Sequence, residues 1–246
     1  MKSTIANQDR LIVALDVPNI ESAKNLVNKL GDSVTFYKVG LELCMSRDYF
    51  ELIEWLGNKN KKIFADVKLF DISATVGKAV KNLSKYPQIK FVTIHAANKE
   101  IMLAAANNKK NMQILAVTVL TCFDKEDLND MGCPASTTLE SLAIERAVLA
   151  KECGIDGVIS SGLEVKNIKE ATNKDFLVVT PGIRLENSVR ANTYSDDQKR
   201  TVDVKTAFKN GADYIVVGRP INQAKNPREV TNQIQKEINS IHYLYI

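Results

Sequence analysis

Four ionisable residues stand in or just after two short apolar runs. Lys38 lies inside the run Val34 to Val39, and Asp66, Lys68 and Asp71 close the run that begins at Ile63, in the segment Asp66-Val67-Lys68-Leu69-Phe70-Asp71. If both runs are strands, side chains two positions apart point to one side, so Asp66 and Lys68 face the same way and Asp71 follows in the loop. A single Asp–Lys pair at a strand end is most often a structural salt bridge. Four alternating charges read differently. Taking two ammonium and two carboxylate groups out of water costs several kcal/mol per ion unless they compensate one another, and stability alone gives no reason to do it. The pattern points to an acid–base array in which carboxylates keep an ammonium charged.

A second cluster suits phosphate. Thr180-Pro181-Gly182-Ile183-Arg184 and Gly218-Arg219-Pro220 each follow an apolar run and each join a glycine to an arginine. Glycine lets backbone N–H groups approach an anion closely, and arginine adds a planar fork of donors. One Gly-x-Arg is weak, since turn chemistry and surface charge explain it equally well. Two at neighbouring strand ends carry more weight.

These residues need a frame that brings them together. Short runs rich in β-branched residues recur eight times: Leu11 to Leu15, Val34 to Val39, Ile63 to Val67, Phe91 to His95, Ile114 to Leu120, Gly157 to Ser160, Phe176 to Thr180 and Tyr214 to Val217. Their nearly continuous apolar character marks strands buried on both faces of a parallel sheet. Helical stripes lie between them, as in Ile20 to Leu30 with Gly31 as its stop, Thr138 to Cys153 stopped by Gly154, and Lys205 to Asn210 stopped by Gly211. The strand ends recur about every 29 residues, close to a minimal βα unit, so the 246 residues predict a single-domain (β/α)8 barrel spanning 1–246. An open doubly wound sheet would carry a glycine-rich turn after its first strand, where this chain has Asp16-Val17-Pro18-Asn19. The stretches Thr121 to Ser160 and Thr180 to Gly218 exceed the mean repeat, which marks the loops after strands five and seven as functional insertions.

Composition excludes several classes. An apolar fraction of 45% supports one full core, and four cysteines without a CxxC pair and two histidines argue against a disulfide scaffold or a zinc or haem site. The net charge of +4 comes from 33 basic and 29 acidic residues that are interspersed, which fits a small anionic ligand rather than nucleic acid. No apolar run is long enough to span a membrane and the polar start has no signal-peptide pattern, so a soluble, cytoplasmic protein is expected. His95 and Cys122 lack neighbours that would activate them, His242 sits in the terminal tail, and Met102 and Trp55 fall on helical stripes and read as packing.

Leu15-Asp16-Val17, Lys38-Val39-Gly40, Asp66-Val67-Lys68-Leu69-Phe70-Asp71-Ile72, Thr180-Pro181-Gly182-Ile183-Arg184, Asp197-Gln198-Lys199-Arg200 and Val217-Gly218-Arg219-Pro220-Ile221 together resemble the signatures of the orotidine 5′-phosphate decarboxylases, from the first strand to the last and in order. The resemblance implies a homodimeric (β/α)8 barrel that makes UMP from orotidine 5′-phosphate without metal or organic cofactor. It implies Lys68 as proton donor within a network of Lys38, Asp66 and Asp71, with Asp71 and Thr75 reaching across the dimer interface. Asp16 and Lys38 would hold the ribose hydroxyls and Thr121 would touch substrate, while Arg184, Gln198, Gly218 and Arg219 would close on phosphate and base. The chain departs from the family's DxKxHDIPNT at Phe70, Ser73 and Ala74, which replace histidine, proline and asparagine, and 13 residues separate Arg184 from Gln198. The nearest rival is a magnesium-dependent sugar-phosphate decarboxylase or aldolase on a related barrel. It would place a metal-binding glutamate where this chain has Lys38, and a cation beside a dication is unfavourable. A catalytically silent phosphate-binding protein is the other alternative, against which the four-charge array argues.

Overall fold

A strand covered by helices on one side and facing a barrel interior on the other is apolar throughout, and β1 (Leu11–Ala14), β7 (Leu177–Thr180) and β8 (Tyr214–Val217) are buried at every position. The computed structural model describes residues 5–185 and 199–242 of the 246. With β2 (Phe36–Gly40), β3 (Lys62–Leu69), β4 (Ile89–His95), β5 (Gln113–Val117) and β6 (Gly157–Ile159), the strands pair in sequence order, all parallel, and β8 pairs back to β1. The chain thus forms the expected closed (β/α)8 barrel.

Helices fill the intervals as the apolar stripes require. Ile20–Leu30 starts at Asn19, whose side chain accepts from the Ser22 N–H, buries Ala23, Leu26, Val27 and Leu30, and stops at Gly31 with φ of 55°. The other two expected helices form as Leu139–Glu152 and Val204–Lys209. Met102 is fully buried, and Trp55 packs partly against the core with the Lys59 ammonium 4.8 Å from its ring centroid. Among the described residues no helix is long and apolar enough to cross a membrane.

The core has two layers. One lies between the strands and the helices, and the other plugs the barrel interior with Ile12, Phe36, Phe64, Phe91, Leu177 and Tyr214 among others. Phe91 anchors that plug, with its ring centroid 5.1 Å from those of Phe36 and Tyr214 and 6.0 Å from that of Phe64. Period-two alternation then sets what stands above it. Two residues beyond inward-facing Ala14, Phe36 and Phe64 come Asp16, Lys38 and Asp66, at the C-terminal mouth where barrels of this kind carry their sites. Strand register completes the placement, pairing Ala14 with Lys38 and Gly40 with Asp66.

Most strands shift by one or two residues at an end, and two of the departures bear on the site. β5 ends at Val117 rather than Leu120, because the chain turns away there. β3 runs on to Leu69 instead of stopping at Val67, and its pairing with β4 jumps from Ala65 opposite Val92 to Leu69 opposite Ile94. It therefore carries two more residues than its neighbour across the same stretch, which is a bulge.

Candidate active site

At the barrel mouth Lys38 Nζ lies 2.8 Å from Asp16 Oδ1 and 3.4 Å from Asp66 Oδ2, while Lys68 Nζ lies 2.9 Å from Asp66 Oδ1. Asp66 bridges the two ammonium groups and is only 8% exposed. Gly40 leaves room for this: a Cβ there would stand 3.0 Å from Lys38 Nζ.

Simple alternation does not by itself bring Lys68 onto Asp66, because the bulge intervenes. Lys68 has φ of 46°, a left-handed conformation that costs a side-chain-bearing residue roughly 1–2 kcal/mol. Thr93, fully buried on β4, holds the bulge: its Oγ1 accepts the Lys68 N–H at 3.0 Å and donates to Asp66 Oδ1 at 2.9 Å. One hydroxyl thus positions the main chain of the lysine and the carboxylate of its partner. Thr93 was not among the expected site residues, since a threonine inside an apolar run reads as an ordinary strand former.

Electrostatics keep the cluster ionised. Burial alone would raise the Asp66 pKa, but Lys38 and Lys68 with the Thr93 hydroxyl outweigh it and hold the carboxyl below its usual value. Burial likewise works against the Lys38 ammonium, and Asp66 and Asp16 reverse it, raising the Lys38 pKa. Replacing Asp66 by asparagine leaves the nearly buried Lys38 and the partly exposed Lys68 without their shared anion, and should destabilise the fold by about 2–4 kcal/mol at pH 7. Because the folded-state pKa of Asp66 is depressed, this contribution is complete above its unfolded value of about 3.9 and is lost as pH falls through the lower folded value. Urea titrations of both proteins should show a constant gap from pH 5 to 8 that closes below about pH 4. A gap that persists unchanged in strong acid would mean the carboxylate charge is not its source.

The rim after β7 and β8 carries the arginines. A cavity of about 440 Å³, within the range of small-molecule sites, is lined by Asp16, Lys38, Asp66 and Lys68 from β1 to β3 and by Thr121, Arg184, Gly218 and Arg219 beyond the ends of β5, β7 and β8, with Gly218 beside Asp16. Arg184 is held in place by its own N–H, which donates to Val202 O at 2.9 Å. Asn222, in the turn of helix that begins at Arg219, donates to Ala14 O at 3.0 Å and ties this rim back to β1.

Eight of the expected site residues therefore share one cavity. Asp71 and Thr75 do not: both are exposed, and the Asp71 carboxylate accepts only from the Ile72 N–H at 2.6 Å, with no ion pair among the described residues. Gln198 lies outside the described residues. His95 ends β4 with its ring 5.7 Å from that of Phe70, its pKa lowered by burial and by the nearby Lys68 and Arg146, and it does not line the cavity. Two further buried charges, Glu164 and Arg200, are not among the expected site residues, although Arg200 closes the segment Asp197-Gln198-Lys199-Arg200.

Comparison with known proteins agrees with this geometry. Residues 9–234 match the model of the orotidine 5′-phosphate decarboxylase / HUMPS family. The chain is 51% identical over 234 residues to the orotidine 5′-phosphate decarboxylase of Methylococcus capsulatus, covering 95% of this chain and 93% of that protein. It is 46% identical to the enzyme of the same name from Stenotrophomonas maltophilia over 96% of this chain and 95% of that one. The crystal structure of orotidine 5′-phosphate decarboxylase from Lactobacillus acidophilus superposes with a TM-score of 0.79 at 36% identity, covering 94% of this chain and 99% of that chain. With a barrel mouth built of Asp16, Lys38, Asp66 and Lys68 facing Arg184 and Arg219, the chain belongs to the orotidine 5′-phosphate decarboxylase / HUMPS family.

Proposed function

We propose that the chain decarboxylates orotidine 5′-phosphate to UMP and carbon dioxide, the step of de novo pyrimidine biosynthesis that yields UMP, within a homodimer whose subunits are single (β/α)8 domains. The observation that carries this reading is that one cavity joins an ammonium–carboxylate cluster to two arginines, the groups suited to a nucleotide's reacting ring and to its phosphate. In the reaction the bond from C6 to its carboxylate breaks, carbon dioxide leaves, and the electron pair stays in an in-plane orbital at C6 that the ring does not delocalise. The Lys68 ammonium faces that pair, stabilises it electrostatically and transfers a proton to it, in a site where exclusion of water strengthens the effect. Asp66 keeps Lys68 charged and oriented, and Lys38 with Asp16 takes the ribose hydroxyls. Thr121, Gln198 and Gly218 complete the substrate contacts, and Arg184 and Arg219 hold the phosphate, whose binding energy serves the chemistry at a distance.

Asp71 supports the dimer. It stands between Phe70 and Ile72, which are 65% and 70% exposed, an arrangement suited to a partner surface that receives Asp71 and Thr75 into its own site. Four cysteines without a disulfide accord with a reducing, cytoplasmic setting, and the reading involves neither nucleic acid nor a membrane. The magnesium-dependent rival is disfavoured by Lys38 itself, whose ammonium already occupies the space between the Asp16 and Asp66 carboxylates.

Incubation with orotidine 5′-phosphate, with and without EDTA, tests the reading: UMP should form at the same rate in both. No turnover would overturn it, and turnover lost with EDTA and restored by magnesium would favour the rival. Arg219→Ala should weaken UMP binding by about 10–100-fold, the worth of a charge-assisted hydrogen bond, while uridine affinity stays within about threefold. Equal losses for both ligands in a calorimetric titration would show that Arg219 does not bind phosphate.

A further inference from the structure

The reaction as described makes no use of the most deeply buried ion pair among the described residues, which lies near the cavity. Arg200 is 7% exposed and Glu164, just after β6, is 3% exposed. One terminal nitrogen of Arg200 contacts Glu164 Oε1 closely, and the other donates to Val119 O at 3.2 Å and Leu120 O at 2.9 Å. Ser160 Oγ donates to Glu164 Oε2 at 2.9 Å, and Ser161 Oγ to the Arg200 carbonyl at 3.2 Å. The guanidinium thus joins the loops after β5 and β6 to the chain returning from β7.

We infer that Arg200, held by Glu164, is a positioning residue that sets the two rims of the cavity, the turn after β5 and the segment after β7. The inference rests on the decarboxylase reading above. In an extended strand successive carbonyls point to opposite sides, so two in a row on one nitrogen require the chain to turn. That turn ends β5 at Val117 and swings Val119, Leu120 and Thr121 onto the cavity wall. Beside it the Lys199 N–H donates to Thr121 O at 3.2 Å. Two residues beyond Arg200, Val202 donates to Gly182 O at 3.1 Å and accepts from the Arg184 N–H at 2.9 Å, fixing the backbone of the arginine rim. One buried cation therefore sets the spacing between Thr121 and Arg184. An apolar pair of similar volume would serve stability as well as a buried ion pair does. What it lacks is a directional hold on two carbonyls.

Two variants separate these roles. Glu164→Leu/Arg200→Met replaces the pair by apolar side chains, and Arg200→Lys keeps the charge without the planar fork that reaches a carboxylate and two carbonyls together. Both should unfold cooperatively, the double variant within about 5 °C of the wild-type midpoint. Both should raise KM for orotidine 5′-phosphate at least fivefold, on the order of tenfold, with kcat at saturation within about threefold, since the Lys68 cluster is untouched. A KM within about fivefold of wild type in either cooperatively unfolding variant overturns the inference, as does a fall in kcat that matches or exceeds the rise in KM. Loss of cooperative unfolding in both assigns the pair to stability and overturns it too. Wild-type turnover is measured first: its absence sinks the decarboxylase reading, whereas active wild type with unaffected variants sinks this inference alone.

Discussion

Lys68→Ala is expected to lower kcat by at least about 10²–10⁴-fold, the range for removing a general acid, while UMP affinity stays within about tenfold of wild type. The two effects separate because the cavity divides its work. On the proposed reading the ammonium acts on the reacting carbon, whereas the ribose and phosphate contacts are assigned to Asp16, Lys38, Arg184 and Arg219, which line the same cavity and which alanine at 68 leaves in place. Single-turnover kinetics with orotidine 5′-phosphate beside calorimetry with UMP measures both. Retention of more than a tenth of the wild-type kcat, a barrier change below about 1.4 kcal/mol, would remove Lys68 as proton donor.

Asp71 gives the second large effect, and one visible only in mixtures. Asp71→Ala alone should be nearly as inactive as Lys68→Ala. If Asp71 serves the partner's site, mixed dimers of the two inactive variants contain one site with both native residues and one with neither. Random exchange makes half the dimers mixed, so roughly a quarter of all sites recover across a two-fold interface. Native mass spectrometry verifies exchange. Exchange without recovered activity would show that Asp71 acts within its own chain, although there, among the described residues, it accepts only from the Ile72 N–H.

The barrel was legible because burial on both faces of a parallel strand removes polar residues from the whole run, and that signal survives in sequence without knowledge of contacts. The charges at the mouth were legible for the converse reason: Lys38, Asp66 and Lys68 interrupt such runs and demand compensation. The departures were hidden because they depend on pairing across strands. Nothing in Asp66-Val67-Lys68-Leu69 announces that β3 has two residues to spare over β4, or that Thr93, 25 residues beyond Lys68, supplies the hydroxyl that holds the bulge. Arg200 finds Glu164 across 36 residues and the Leu120 carbonyl across 80, and a lone arginine beside a lysine reads as a solvated charge until the fold buries it.

The left-handed backbone at Lys68 has an evolutionary consequence. Glycine is the residue that accommodates φ of 46° without penalty, so every generation that keeps a lysine there retains a main-chain conformation that folding alone disfavours. Purifying selection for turnover and mutation toward a more relaxed backbone pull against each other at one codon. If Lys68 donates the proton as proposed, a duplicated copy released from that chemistry is free to relax position 68, and the residue found there records whether a descendant is still held to it.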